Sequence, residues 1–236
     1  MNAKGTLLRA GALALMLHPS LAAAGEIEYR LMPYLWTSGI HADIGPPARP
    51  TSADVSFGDY VGFIDAGAAF VFEAEGDRWS FSSDVLWVKL SQDVDLRAGT
   101  ADFENEQLIL ELAVGYRPQG WKEARIVGGV RYLDMGTTIR FRDPLEVGIG
   151  QDWADPFVGL EWRPRRDKWE YLLEGDIGGG VDADFTWSFI VGGAYHFSDR
   201  YAVTAAYRFV DSEFEDSEFV FDGRLEGLLI GVIIKF

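Results

Sequence analysis

The chain contains no cysteine and only three histidines, two of them beyond the first 24 residues. It therefore has no disulfide framework and no thiolate site for metal or redox chemistry. Basic residues are also scarce, with 21 Lys and Arg against 37 Asp and Glu. Such a chain lacks the Lys and Arg clusters that nucleic acid rewards, so a nucleic-acid partner is excluded. Long apolar runs are missing as well. A spanning helix needs about 20 consecutive apolar residues, and the longest early run, Gly11–Leu17, falls well short. A barrel escapes this exclusion, because its strands need only about 9–11 residues with alternate ones apolar.

What is present begins with an export signal. Lys4 and Arg9 precede the apolar run Gly11–Leu17, and Ala22-Ala23-Ala24 offers small residues for cleavage before Gly25. Residues 1–24 read as a signal peptide and residues 25–236 as one domain, exported through the periplasm. Removing the signal takes away Lys4, Arg9 and no acid, leaving 19 basic against 37 acidic residues.

Alternation with a period of two then runs through the chain. Ten segments carry it: 26–40, 61–75, 78–88, 103–117, 124–135, 153–163, 169–178, 187–197, 201–210 and 228–236. The expected fold is all-β, a transmembrane antiparallel up-and-down barrel of about ten strands, with eight as the alternative. Short connections (75–78, 118–123, 164–168, 198–200) alternate with longer, partly acidic ones (41–60, 91–101, 142–151, 179–184, 211–218). That asymmetry puts turns and both termini in the periplasm and loops outside. The 16 Phe, 9 Tyr and 8 Trp gather at the segment ends. Tyr29, Trp79, Tyr116, Trp162, Tyr171, Tyr195 and Tyr201 mark one rim; Trp87, Tyr132, Trp187 and Phe209 mark the other. Two aromatic belts around an aliphatic band describe a lipid-facing surface in the bacterial outer membrane, among lipid and lipopolysaccharide. The small lipid-facing residues Ala66, Ala68 and Gly128 leave oligomeric state open. Three positions fit poorly. Asp134 falls on the apolar parity, which requires a place above the hydrocarbon or a bulge, and Pro33 and Pro156 interrupt ladders.

The segment Leu228-Leu229-Ile230-Gly231-Val232-Ile233-Ile234-Lys235-Phe236 resembles the assembly signal of outer-membrane proteins: a final aromatic preceded by Ile234, Val232, Ile230 and Leu228 at alternate positions. That resemblance implies the barrel assembly machinery as a partner. Further in, Pro33-Tyr34-Leu35-Trp36 with Gly39, Trp153–Gly159, Gly175–Gly179 and Tyr207-Arg208 make the chain similar to a family of poorly characterised proteobacterial outer-membrane barrels. The resemblance implies the fold and carries no catalytic residue.

The inward parity places Arg30, Arg131 and Arg208 among acids that include Glu28, Asp65, Glu73, Asp84, Glu111, Asp155, Glu161, Glu174 and Asp176. Arg131 is expected to bridge Glu111 and either Asp84 or Glu174, filling the lumen as small barrels do. If the lumen conducts, the acid excess favours cations. The expected role is a structural barrel or a narrow, cation-preferring solute channel with a largely filled, acidic lumen. The alternative is a barrel enzyme at the outer leaflet, for which His41 with Asp43 is the only candidate start and lacks a partner. No catalytic residue, metal or cofactor is assigned. The acidic loops 178–184 and 211–218 show no calcium-loop spacing.

Overall fold

The computed structural model describes residues 27–45, 47–96, 99–141, 146–181, 183–215 and 220–236. The expected signal segment lies outside them. Twelve strands form: β1 (Glu28–Gly45), β2 (Thr51–Val55), β3 (Ile64–Glu75), β4 (Trp79–Leu96), β5 (Gly99–Tyr116), β6 (Ala124–Phe141), β7 (Glu146–Trp162), β8 (Arg165–Arg166), β9 (Trp169–Gly178), β10 (Phe185–His196), β11 (Tyr201–Glu215) and β12 (Val220–Lys235). A one-turn helix, α1 (Phe57–Tyr60), and a 3₁₀ turn (Val61–Phe63) separate β2 from β3.

Ten strands close an antiparallel ring in the order β1, β3, β4, β5, β6, β7, β9, β10, β11, β12. The closing seam joins β12 to β1, with Ile234 opposite Leu31 and Ile230 opposite Leu35. Strand β2 is an extra arm on the outer part of β1, and the two-residue β8 lies against β9. Closure pairs each strand of the ring with a neighbour on both sides over at least part of its length, which removes the free sheet edges of an open sheet.

The outer surface follows the expected alternation. Leu112, Val130, Val158, Ile177, Val191, Val203 and Leu228 face outward and are exposed. Aromatic pairs flank this band: Trp79–Tyr116 at 4.7 Å and Trp169–Tyr195 at 5.1 Å on one rim, Trp187–Phe209 at 4.4 Å on the other. Asp134 keeps its register without a bulge, opposite Leu108 and Asp152. It is exposed just beyond Tyr132, whose hydroxyl donates to Asp152 at 3.3 Å, and so marks the upper limit of the band.

Several expected loops are strand. β4 pairs with β5 all the way from Trp79–Tyr116 to Leu96–Gly99, and β6 with β7 from Ala124–Trp162 to Arg140–Glu146. An 18-residue strand rises about 60 Å, far more than a membrane crossing needs. The excess stands in water, where neither face need be apolar, so the ladder continues after the alternation stops. Both prolines sit where a ladder ends. Pro33 with Phe70 is the last β1–β3 pair, and β7–β9 pairing begins at Phe157, immediately after Pro156. Asp65, expected in the lumen, is the residue left over at a register shift between Ile64 and Ala66 and is exposed.

Candidate functional site

The inward-facing residues divide the lumen into three levels. At the end of the barrel with the short turns and both strand termini lies a dense ion-pair layer. Glu73 accepts from Arg125 (3.1 Å) and Arg163 (2.7 Å), and Glu161 pairs with Arg125 and Arg163 (2.9 and 2.8 Å). Glu75 takes Arg117 and Arg125 (2.6 and 2.9 Å). Arg30 joins Glu28 (2.6 Å) to Glu170 (3.0 Å), and Lys235 closes on Glu28 at 3.1 Å.

The middle level is narrower. Inward positions of β4 to β7 stand in direct register as Asp84, Glu111, Arg131 and Asp155. Arg131 donates to Glu111 (2.8 Å), to both oxygens of Asp176 (3.0 Å each) and to the Thr186 hydroxyl (3.2 Å). Arg208 reaches over from β11 to Asp84 (2.6 Å) and Glu111 (2.7 Å). The Tyr34 hydroxyl donates to Asp84 at 2.8 Å, and the Ser188 hydroxyl donates to Asp176. Both guanidiniums are 1% exposed and each lies over an aromatic ring, Phe157 for Arg131 and Trp36 for Arg208, at 5.1 Å. Gly129 makes room for this: a Cβ there would fall 2.9 Å from the Phe157 ring and 2.1 Å from the Leu112 carbonyl oxygen.

Arg131 thus keeps its expected partner Glu111, but its second is Asp176 rather than Asp84 or Glu174. Asp84 is taken by Arg208, which arrives from the facing wall. Glu174 lies opposite Glu161 and lines a small cavity of about 120 Å³ between the two charged levels. Arg30, Glu73 and Glu161 belong to the ion-pair layer at the turn end. Arg125 and Arg163 were missing from the expected set. Arg125 shares the parity of Arg131, and Arg163, just past β7, shares that of Glu161 within the segment 153–163, so alternation could have found both.

The outer level is apolar, and "acidic" describes only the lower lumen. Trp36, Ile109, Leu133, Trp153, Val210, Phe214, Phe221, Leu225 and Leu229 form one buried cluster that begins beside Arg208, with Leu229 at its inner edge, and extends outward from there. Trp153 packs on Phe214 and Phe221, with ring centroids 5.1 and 5.4 Å away. The loop after β9 turns inward at Gly179 and Gly180 (φ +109° and +83°), a backbone that favours glycine. It presents Ala183 to Asp155, whose carboxylate accepts the Ala183 N–H at 3.0 and 3.1 Å. Above this cluster the mouth holds a cavity of about 450 Å³ lined by Ile40, Ile44, Phe63, Phe103, Met135 and Phe221 among others.

Neither histidine faces that mouth. His41 points outward from β1, with Nδ1 2.9 Å from Asp54 and Nε2 3.9 Å from Glu226; Asp43 instead accepts the Ser52 hydroxyl at 2.6 Å. His196 is buried against Glu170 (3.1 Å) at the turn end of the barrel. Among the described residues no group of three or more His, Asp or Glu is arranged to hold a metal ion. Asp182 and residues 216–219 of the two acidic loops lie outside the described residues, while Asp211–Glu215 belongs to β11. The terminal residues Leu228, Ile230, Val232 and Phe236 project outward in one exposed row, with Ile234 half-buried among them.

Comparison with solved structures places this architecture. The outer membrane protease OmpT from Escherichia coli superposes with a TM-score of 0.59, over 92% of this chain and 99% of that one, at 9% identity. The chain has the fold of an outer-membrane β-barrel. Ail of Yersinia pestis (TM-score 0.42, 7% identity, 89% and 98% covered) and Neisserial surface protein A (0.33, 13%, 91% and 100%) are more distant in shape. No protein-family model and no curated protein matches the chain. At such identity the likeness to OmpT concerns the fold and transfers no chemistry.

Proposed function

We propose that this chain is a small-solute barrel of the bacterial outer membrane and not an enzyme. It receives solute in the apolar outer half of its lumen and is closed to bulk flow by the charged floor below. The observation that carries this reading is the change of lining at Glu111: the buried cluster above it is apolar and aromatic, and the lumen's paired ions lie at and below it. Acids outnumber bases in the floor, with Asp84, Glu111 and Asp176 set against Arg131 and Arg208. Any leak through it therefore prefers cations. The enzyme alternative gains no support from His41, which lies on the outside of the wall.

Planar-bilayer recording of the refolded chain tests this reading. The expected record shows no wide open state, and brief openings whose reversal potentials lie on the cation side. A large, steady or anion-selective conductance would overturn it.

A further inference from the structure

Between β1 and β3 the wall of the barrel has a seam without a ladder. β1 and β3 pair from Glu28–Glu75 to Pro33–Phe70, and no pair joins them beyond that point among the described residues. Over the same height β1 stays paired with β12, from Tyr34–Gly231 to Ile40–Leu225, and β3 stays paired with β4. The breach is therefore local. Its causes are visible in the sequence. Pro33 has no N–H to continue the ladder, and the chain leaves for the β2–α1 excursion before returning at Ile64.

One side chain occupies the place of the missing pairs. The Tyr60 hydroxyl, delivered by α1, donates to the Ser38 carbonyl at 2.7 Å and lies 3.1 Å from the Ser38 hydroxyl. Irregular backbone at membrane depth persists only where protein or a cavity covers it. Here both do. A cavity of about 240 Å³ passes through the breach, lined on its outward side by Leu35, Ala68 and Trp87 and on its lumen side by Trp36, Ile109 and Leu225. It adjoins the mouth cavity, with Ile40, Tyr60, Leu90, Gln107 and Leu225 lining both. The outer end lies within the lipid-facing band: Leu35 is 54% exposed and stands opposite Ile230.

We infer that the barrel delivers a small, uncharged, apolar solute sideways, through the gap between β1 and β3, into the hydrocarbon of the outer membrane, with Tyr60 as the gate. The inference rests on the small-solute reading above and adds the solute's class and its exit. The class follows from the lining. Among the described residues no charged side chain borders the breach and Asp59 is the only one at the mouth cavity, so an anionic headgroup finds no cation there. The room suits an aromatic ring system, because an apolar cavity of about 150 Å³ already holds benzene. The exit follows from the floor. Straight passage would carry an apolar molecule through Arg131 and Arg208, at the expense of paired, desolvated ions. The side route, mostly apolar with a few neutral polar groups, crosses no buried ion pair.

Two measurements test this together. The first is uptake of N-phenyl-1-naphthylamine, an uncharged aromatic that brightens in phospholipid, by Gram-negative cells producing the chain. The wild type should raise the initial rate above vector-only cells, and Ala68→Phe, which fills the outer end of the breach, should return it to the vector rate. Heat-modifiable migration on gels checks that the variant is folded. The second is a crystal soak with 1-bromonaphthalene, in which bromine should appear at the mouth and under Tyr60 in the wild type. If folded Ala68→Phe takes up the probe as fast as wild type, the sideways exit is overturned while bromine at the mouth keeps the small-solute reading. If no bromine enters the mouth, that reading itself fails and the exit with it.

Discussion

Arg131 and Arg208 donate to the same oxygen of Glu111, at 2.8 and 2.7 Å, from strands four places apart around the ring. One carboxylate thus ties two walls together. Replacing it by Gln keeps the shape and removes the charge that two buried guanidiniums share. Breaking a buried pair from one side costs about 3–5 kcal/mol, so Glu111→Gln should lower unfolding stability by that order. Urea titration of the lipid-embedded barrel measures it. A loss no greater than that of an exposed pair, about 1 kcal/mol or less, would mean that the floor is not held by this oxygen.

The residue after Glu111 tests the opposite face. Leu112 lies within the aliphatic band, exposed and paired with Ser83 and Val130. A charge there meets hydrocarbon rather than a counter-ion. Leu112→Arg should destabilise by about 2–4 kcal/mol, the range for a cation near the bilayer midplane. The same change at Asp102, on the outer part of β5 and exposed, should be close to neutral. Equal effects at the two positions would contradict the assignment of the band.

How much of this was legible in the sequence depended on what each face touches. Lipid demands apolar side chains at every second position, so ten strands, the two belts and the closing seam at Leu228–Phe236 could be read from alternation alone. Above the membrane both faces of β4 to β7 meet water, the demand lapses, and strand looked like loop. The apolar half of the lumen was hidden for the converse reason. Leu229 faces inward between outward Leu228 and Ile230, so the run reads as uniformly apolar. Arg131 and Glu111 were readable as partners because adjacent strands place them side by side. Arg208 and Asp84 were not, since no local pattern records which side chains meet across a barrel.

The arm that delivers Tyr60 has its own pH dependence. The Asp59 carboxylate accepts the Ser56 hydroxyl (2.6 Å) and the Ser56 N–H (2.9 Å), and these bonds hold its carboxyl below the usual range. A lowered pKa in the folded chain means that the contribution is complete above the unfolded value, about 3.9. It is lost as pH falls through the folded value. α1 should therefore be fully clipped at neutral pH and loosen only in strong acid. An NMR titration of the Asp59 carboxyl carbon should give a midpoint below that of an unfolded Asp. A midpoint at or above it would show that Ser56 does not clip the helix in solution.

Phe236 separates stability from delivery. Its backbone closes the seam, donating N–H to the Tyr29 carbonyl at 3.1 Å and accepting from the Tyr29 N–H at 3.4 Å. Its ring, 63% exposed, only stacks on Tyr29 with centroids 6.0 Å apart. Phe236→Ala keeps both backbone bonds and loses a ring that is mostly in contact with lipid. Refolding of purified chain into detergent or lipid should then proceed almost as for wild type. In cells the amount of folded barrel in the outer membrane should fall several-fold, because the missing ring is what the assembly machinery is proposed to read. Heat-modifiable migration of membrane fractions quantifies the second effect, and the same assay on refolded protein quantifies the first. If the two fall together, the ring serves the barrel itself; if neither falls, the terminal aromatic is no signal.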